Sequence, residues 1–108
     1  MTIMQGDSYP IYFDLKQDGK VLTPEMVAEM EVCVGEGFSK LYSEDGVMFD
    51  EEAEKWYIHP SQAETMALEV NTHSVIARIR YNGTTPEEVI GVKIGWIEVT
   101  DSISEAVI

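Results

Sequence analysis

Arg78 and Arg80 stand two residues apart in a chain that holds only seven lysines and arginines against twenty aspartates and glutamates. On a strand, a spacing of two puts both guanidinium groups on one face. Such a pair can serve cross-strand pairing with the many acids, or it can form a basic spot in a subunit contact, where arginine is favoured. Other candidate chemistry is weaker. The acidic stretch Ser43-Glu44-Asp45-Gly46-Val47-Met48-Phe49-Asp50-Glu51-Glu52 invites a calcium reading, but Val47, Met48 and Phe49 fall where a calcium loop needs oxygen ligands. His59 and His73 are the only histidines and Cys33 the only cysteine, and their spacing does not build a three- or four-ligand zinc site. Cys33 as a nucleophile would need a neighbouring base and an electropositive setting, yet Glu31 and Glu36 flank it and raise its thiol pKa. No glycine-rich phosphate loop or nucleophile elbow occurs. The expectation is a protein without catalytic residues, metal or cofactor.

Aromatic residues offer a second kind of site. Trp56 and Tyr57 are adjacent, so on a strand they point to opposite faces and one of them can reach solvent. That makes Trp56 or Tyr57 the candidate glycan contact in an alternative reading, a small carbohydrate-binding module. Trp96 closes an apolar face and is expected in the core.

The elements that position these residues read as strands. Ile11, Phe13 and Leu15 alternate with Tyr12, Asp14 and Lys16, and Pro10 suits the start of that strand. Gln17-Asp18-Gly19-Lys20 is a hairpin turn. Thr23-Pro24-Glu25-Met26 supports one helical turn, with Pro in the first helical position. Ala28, Met30, Val32 and Val34 share a strand face, and weaker strands follow over 38–42 and 47–49. Asp50 to Glu54 form a solvated loop before the strand Lys55–Ile58, which Pro60 ends. Ser61 and Glu64 have capping-box spacing and predict a short helix to about Leu68. Val75, Ala77, Ile79 and Tyr81 face one way, and Ile76, Arg78 and Arg80 the other. A connection over 82–88 leads to the last strand. There Ile90, Val92, Ile94 and Trp96 alternate, then the phase flips to Ile97 and Val99, which points to a β-bulge beside Gly95. About seven short strands and one or two helical turns imply a single all-β domain over residues 1–108, an immunoglobulin-like antiparallel β-sandwich.

Charge narrows the partners. The formal net charge is −13, and 13 of the 20 acids lie in the first 54 residues. Such a surface repels phosphate backbones, so nucleic acid is not an expected partner. No apolar run approaches the roughly 20 residues of a membrane-spanning helix, and Met1 to Asp7 lack the basic head and apolar run of a signal peptide. A protein made in the cytoplasm, without membrane contact, is expected.

The order of elements carries a resemblance. Gly6-Asp7-Ser8-Tyr9 opens onto the strand Ile11 to Leu15. Leu22-Thr23 and a strand ending Glu31-Val32-Cys33-Val34-Gly35 follow. Val89-Ile90-Gly91 leads to Gly95-Trp96-Ile97-Glu98-Val99 and then Ser102-Ile103-Ser104. Over nearly its whole length the chain resembles small immunoglobulin-like proteins of tailed phages and prophages, especially the N-terminal domain of baseplate upper proteins. The resemblance implies a β-sandwich that docks onto other virion proteins in a tail or baseplate, carries no catalytic residues, and is made in a bacterial host before joining a virion. Other phage structural proteins, or further copies of the chain, are the implied partners.

The final segment supplies candidate contacts. Ser102 and Glu105 have capping-box spacing, which predicts a short apolar turn presenting Ile103, Val107 and Ile108. With Arg78 and Arg80, these are the residues expected to touch a partner. Deleting residues 102–108 is expected to leave the melting temperature unchanged and to weaken assembly, as read by sedimentation. A deletion that unfolds the domain would instead place the segment in the core.

Overall fold

The computed structural model describes residues 1–83 and 88–102. Ten strands build it: β1 (Thr2–Met4), β2 (Ile11–Phe13), β3 (Lys16–Gln17), β4 (Lys20–Val21), β5 (Val27–Val34), β6 (Phe38–Leu41), β7 (Val47–Asp50), β8 (Lys55–Ile58), β9 (Thr72–Tyr81) and β10 (Val89–Thr100). Short 3-10 turns cover Pro24–Met26 and Tyr42–Glu44, and one helix, α1, covers Gln62–Met66. A five-stranded sheet runs in the order β1-β10-β9-β5-β6 and faces a three-stranded sheet in the order β2-β8-β7. The all-β sandwich expected from the strand pattern is the fold that forms. All pairs are antiparallel except one, since β1 runs parallel to β10 with Thr2 opposite Glu98 and Met4 opposite Thr100.

Strand number exceeds the sequence reading for local reasons. The strand read from Tyr9 to Lys16 breaks after Phe13, and Lys16–Val21 forms a separate two-residue hairpin. Its turn has Asp18 at φ 52° and Gly19 at φ 78°, the double positive φ that matches strand twist. β1 has only three residues, too few for a periodic signal. Ala28 departs from its expected face: the register shifts between Val27 and Glu29, so Val27 is buried and Ala28 is exposed.

The core lies between the two sheets. Met30, Val32 and Val34 of β5, Val75, Ala77 and Ile79 of β9, and Ile97 and Val99 of β10 meet Ile11, Phe13, Val47, Trp56 and Ile58 from the other sheet. Their alternation along each strand is what a sandwich needs, with one face buried and the other wet. Trp56 sits at the centre, 0% exposed. Its indole Nε1 donates to the Leu22 carbonyl at 2.8 Å. Tyr42 approaches it edge-on, with centroids 5.6 Å apart, and Phe49 packs at 5.1 Å. Leu22 follows the β3–β4 hairpin and closes it through its N–H to the Leu15 carbonyl at 2.9 Å. One side chain therefore ties the hairpin to the three-stranded sheet.

A polar brace holds α1 and the N-terminal segment. Ser61 and Glu64 form the expected capping box, and the Glu64 carboxylate also accepts from Lys40 Nζ at 2.6 Å on β6. Thr65 is buried; its hydroxyl donates to the Asp7 carbonyl at 2.8 Å and accepts from the Gly6 N–H at 3.0 Å. The Asp7 carboxylate accepts from the Met4 N–H at 2.9 Å, and Gly6 takes φ 89°. Ser8 donates to the Pro60 carbonyl at 2.9 Å. The Gly6-Asp7-Ser8 stretch is thus a structural clasp. The expected loop lies outside the described residues over 84–87, as do Ile103, Val107 and Ile108.

Trp56 sets the stability of this arrangement. Trp56→Ala is expected to cost about 3–5 kcal/mol in denaturant unfolding, the range for large-to-small aromatic truncation in a core. Trp56→Phe keeps most of the apolar contact but strands the Leu22 carbonyl, and about 1–3 kcal/mol is expected. Equal stability of Trp56→Phe and the wild type would show that the hydrogen bond contributes nothing.

Candidate protein-contact face

The five-stranded sheet has an outer face turned to solvent. On β9, Ser74, Ile76, Arg78 and Arg80 are exposed, while Val75, Ala77 and Ile79 point inward. On β10, Val89, Gly91, Lys93, Trp96 and Glu98 are exposed. Register places Arg78 between Glu31 and Gly91, and Arg80 between Glu29 and Val89. Ile76 lies between Cys33 and Lys93. Arg78 and Arg80 thus share the face the alternation assigned to them.

Neither arginine closes an ion pair within 4.0 Å among the described residues; the one such bridge is Lys40–Glu64. The acids opposite are engaged elsewhere. Glu29 Oε1 accepts from the Met30 N–H at 2.9 Å and from the Ser43 N–H at 3.1 Å. Partial burial opposes ionisation of Glu29, but hydrogen bonds from Ser43 and Met30, with Arg80 nearby, outweigh it and hold the carboxyl below its ordinary value. Burial comes first in raising the Cys33 thiol, and its hydrogen bond to Glu31 and that carboxylate's charge add to it. That is the direction expected from its neighbours, and it keeps the thiol protonated at neutral pH.

Trp96 corrects the sequence reading. It is 57% exposed, not buried. The bulge expected beside Gly95 is present, but the register shifts between Lys93 and Gly95. The flip therefore comes before Trp96, so Ile97 and Val99 enter the core and Trp96 turns outward. Lys93 Nζ lies 4.6 Å above the Trp96 ring centroid, a cation–π contact on the outer face. Trp56 is the converse correction. Its complete burial removes it as a glycan contact. Tyr57 is half-buried on the three-stranded sheet, against Tyr12 with centroids 5.0 Å apart and rings tilted by 36°. Of the alternative glycan contact, Trp56 or Tyr57, there remains Tyr57 in that tilted pair.

The remaining candidates do local structural work. Asp50 Oδ1 accepts from the N–H groups of Glu52 at 3.0 Å and Ala53 at 3.1 Å, which closes the acidic loop on itself. His59 Nε2 meets Ser8 Oγ at 3.2 Å, and His73 Nε2 meets the Glu69 carbonyl at 2.8 Å. Among the described residues no three His, Cys, Asp or Glu side chains gather as metal ligands, and no helix is long and apolar enough to cross a membrane.

A second feature adjoins the outer face. β1 pairs with β10 only at Glu98 to Thr100, and Met1 reaches back to Glu98 and Trp96. From Val89 to Gly95, no strand among the described residues pairs with the outer side of β10. A cleft of about 450 Å³ opens at the upper end of this edge, between β10 and β2. Ile11, Phe13, Ile58, Val75, Ile94 and Ile97 supply its apolar walls. Sequence periodicity finds strands but not their neighbours, so this edge was not legible before the pairing was known. No family model, curated protein or solved structure matches the chain.

The lowered Glu29 carboxyl has a pH consequence. Its stabilisation is full above the ordinary carboxylate pKa of about 4.3 and is lost as pH falls through the lower folded value. Glu29→Gln is expected to lower the melting temperature at neutral pH, to change little in acid below the folded value, and so to flatten the fall in melting temperature between them. An unaltered acid limb would show that Glu29 does not couple to folding.

Proposed function

We propose that the chain is a non-enzymatic structural or assembly protein of a tailed phage or prophage, associated with the tail or baseplate and acting through protein–protein contacts. The observation that carries the contact reading is the outer sheet face. A tryptophan, an isoleucine and three cationic side chains stand exposed together there on a strongly acidic protein. Aromatic residues and arginine are the types enriched where proteins meet. Exposed apolar area rimmed by charge also marks interaction sites more often than idle surface. The phage assignment is supported by the residue pattern from Gly6-Asp7-Ser8 to Gly95-Trp96-Ile97-Glu98-Val99 and by the sandwich it implied. The protein would be made in the bacterial cytoplasm and then join the virion.

Mass spectrometry of gradient-purified particles provides the test. The chain is expected at a fixed ratio to a tail protein, and Trp96→Ala with Arg78→Glu is expected to reduce its incorporation while leaving its melting temperature unchanged. Absence of the chain from particles and from tail intermediates would overturn the reading.

A further inference from the structure

We infer that the open edge of β10 is an acceptor slot for one extended segment of a partner protein, in which apolar residues alternate with acidic ones. The inference rests on the contact reading above and adds the partner's conformation and chemistry.

Three observations converge on the slot. First, β10 from Val89 to Gly95 has β9 on one side and no strand on the other among the described residues, while β1 occupies the same side further along at Glu98 to Thr100. A sheet edge of this kind offers main-chain groups to an incoming strand, and the line of β1 already marks where that strand would lie. Second, the inner side of this edge is incompletely covered. The five-stranded sheet is wider than the three-stranded one, Ile90 is exposed, and Val92 and Ile94 are only partly buried. The cleft at Ile94 and Gly95 reaches core residues Phe13, Ile58 and Ile97. Every second side chain of an added strand would point to that inner side, so those positions must be apolar.

Third, the outer side of the edge is cationic. Lys93 is exposed on it, and Arg78 stands behind Gly91, which places no side chain between Arg78 and the slot. A Cβ built on Gly91 would meet nothing within 4 Å, so the path is open. Two strand spacings, about 10 Å, separate the slot from β9, within joint reach of an arginine and a glutamate. Arg80 stands similarly behind Val89. Between Val89 and Trp96 there is no acid, in a chain of net charge −13.

Charge also selects the occupant. Pairing this edge with the same edge of a second copy would join two strongly acidic molecules and, in the register centred on Lys93, bring the two copies of that side chain together. Lys93 and the adjacent bulge are devices that discourage indiscriminate pairing at an edge. An acid placed opposite Lys93 turns the first of these from a deterrent into a contact.

Synthetic ten-residue peptides test this on the full chain. An alternating Val/Glu peptide, its Val/Lys counterpart and a Val/Glu peptide carrying a central proline would be titrated by calorimetry, with hydrogen exchange read at Val89 to Lys93. The Val/Glu peptide is expected to bind and to slow exchange at those amides, and the other two to bind at least about tenfold more weakly. Lys93→Glu, an exposed change that should not disturb folding, is expected to weaken the Val/Glu peptide about tenfold and to favour the Val/Lys one. Equal binding of both charge types, binding that leaves the β10 amides unprotected, or dimerisation of the free chain through this edge would overturn the slot. Wild-type incorporation of Lys93→Glu into particles would also overturn it, and would do so with the structural role intact.

Discussion

The hydrogen bond from the Trp56 indole to the Leu22 carbonyl is the constraint around which the sandwich is arranged. A tryptophan buries a large apolar surface but carries one donor that must find an acceptor in a dry interior. Leu22 supplies that acceptor only because the β3–β4 hairpin returns the chain over the three-stranded sheet at that point. The hairpin is too short to be stable alone. The indole position and the hairpin position therefore specify each other, and Tyr42 and Phe49 then fill the space around the ring. With the three-stranded sheet anchored, β5, β9 and β10 can present one alternating face to it and leave the other to solvent.

The acidic character of the chain acquires a local meaning from this frame. Several of its carboxylates hold backbone: Glu29 at Met30 and Ser43, Asp50 in its loop, Glu64 and Asp7 at the clasp. These N–H bonds hold the Glu29 carboxylate away from direct contact with Arg80, although its charge is still felt there. Arg78 and Arg80 stand exposed without a close ion pair among the described residues, in a chain where acids outnumber bases nearly threefold. The exposed Trp96 beside Lys93 belongs to the same face, so cationic and aromatic character coincide there.

Much of the architecture was legible from the chain, for physical reasons. β9 reads without ambiguity because Val75, Ala77 and Ile79 alternate with Ile76, Arg78 and Arg80, and the capping box at Ser61 and Glu64 is a local rule locally obeyed. Trp96 faces opposite to the side its alternation suggests. A bulge displaced by one residue inverts every side chain beyond it, and that decided Trp96. Trp56 and Tyr57 were known to part, but which of them faced inward depends on the opposing sheet. The open β10 edge needed the pairing partners, which are non-local and leave no mark in a window of sequence. The clasp around Gly6-Asp7-Ser8 was visible as a pattern before its bonding to Thr65 and Pro60 gave it a cause.

The parallel pairing of β1 with β10 joins residues nearly the full described length apart. Such a contact rewards the chain only after every intervening element is in place, because the loop it closes is the largest available. β1 is short, but Ile3 is buried in the core and Gln5 extends the pairing through its N–H to the Thr100 carbonyl. β1 is therefore positioned to dock late, and Ile3 and the clasp behind it hold it once docked. The rim that bears the open edge is thus closed by a contact made late in folding, and the point at which that edge ends, Glu98, is fixed only when the two ends of the described chain have met.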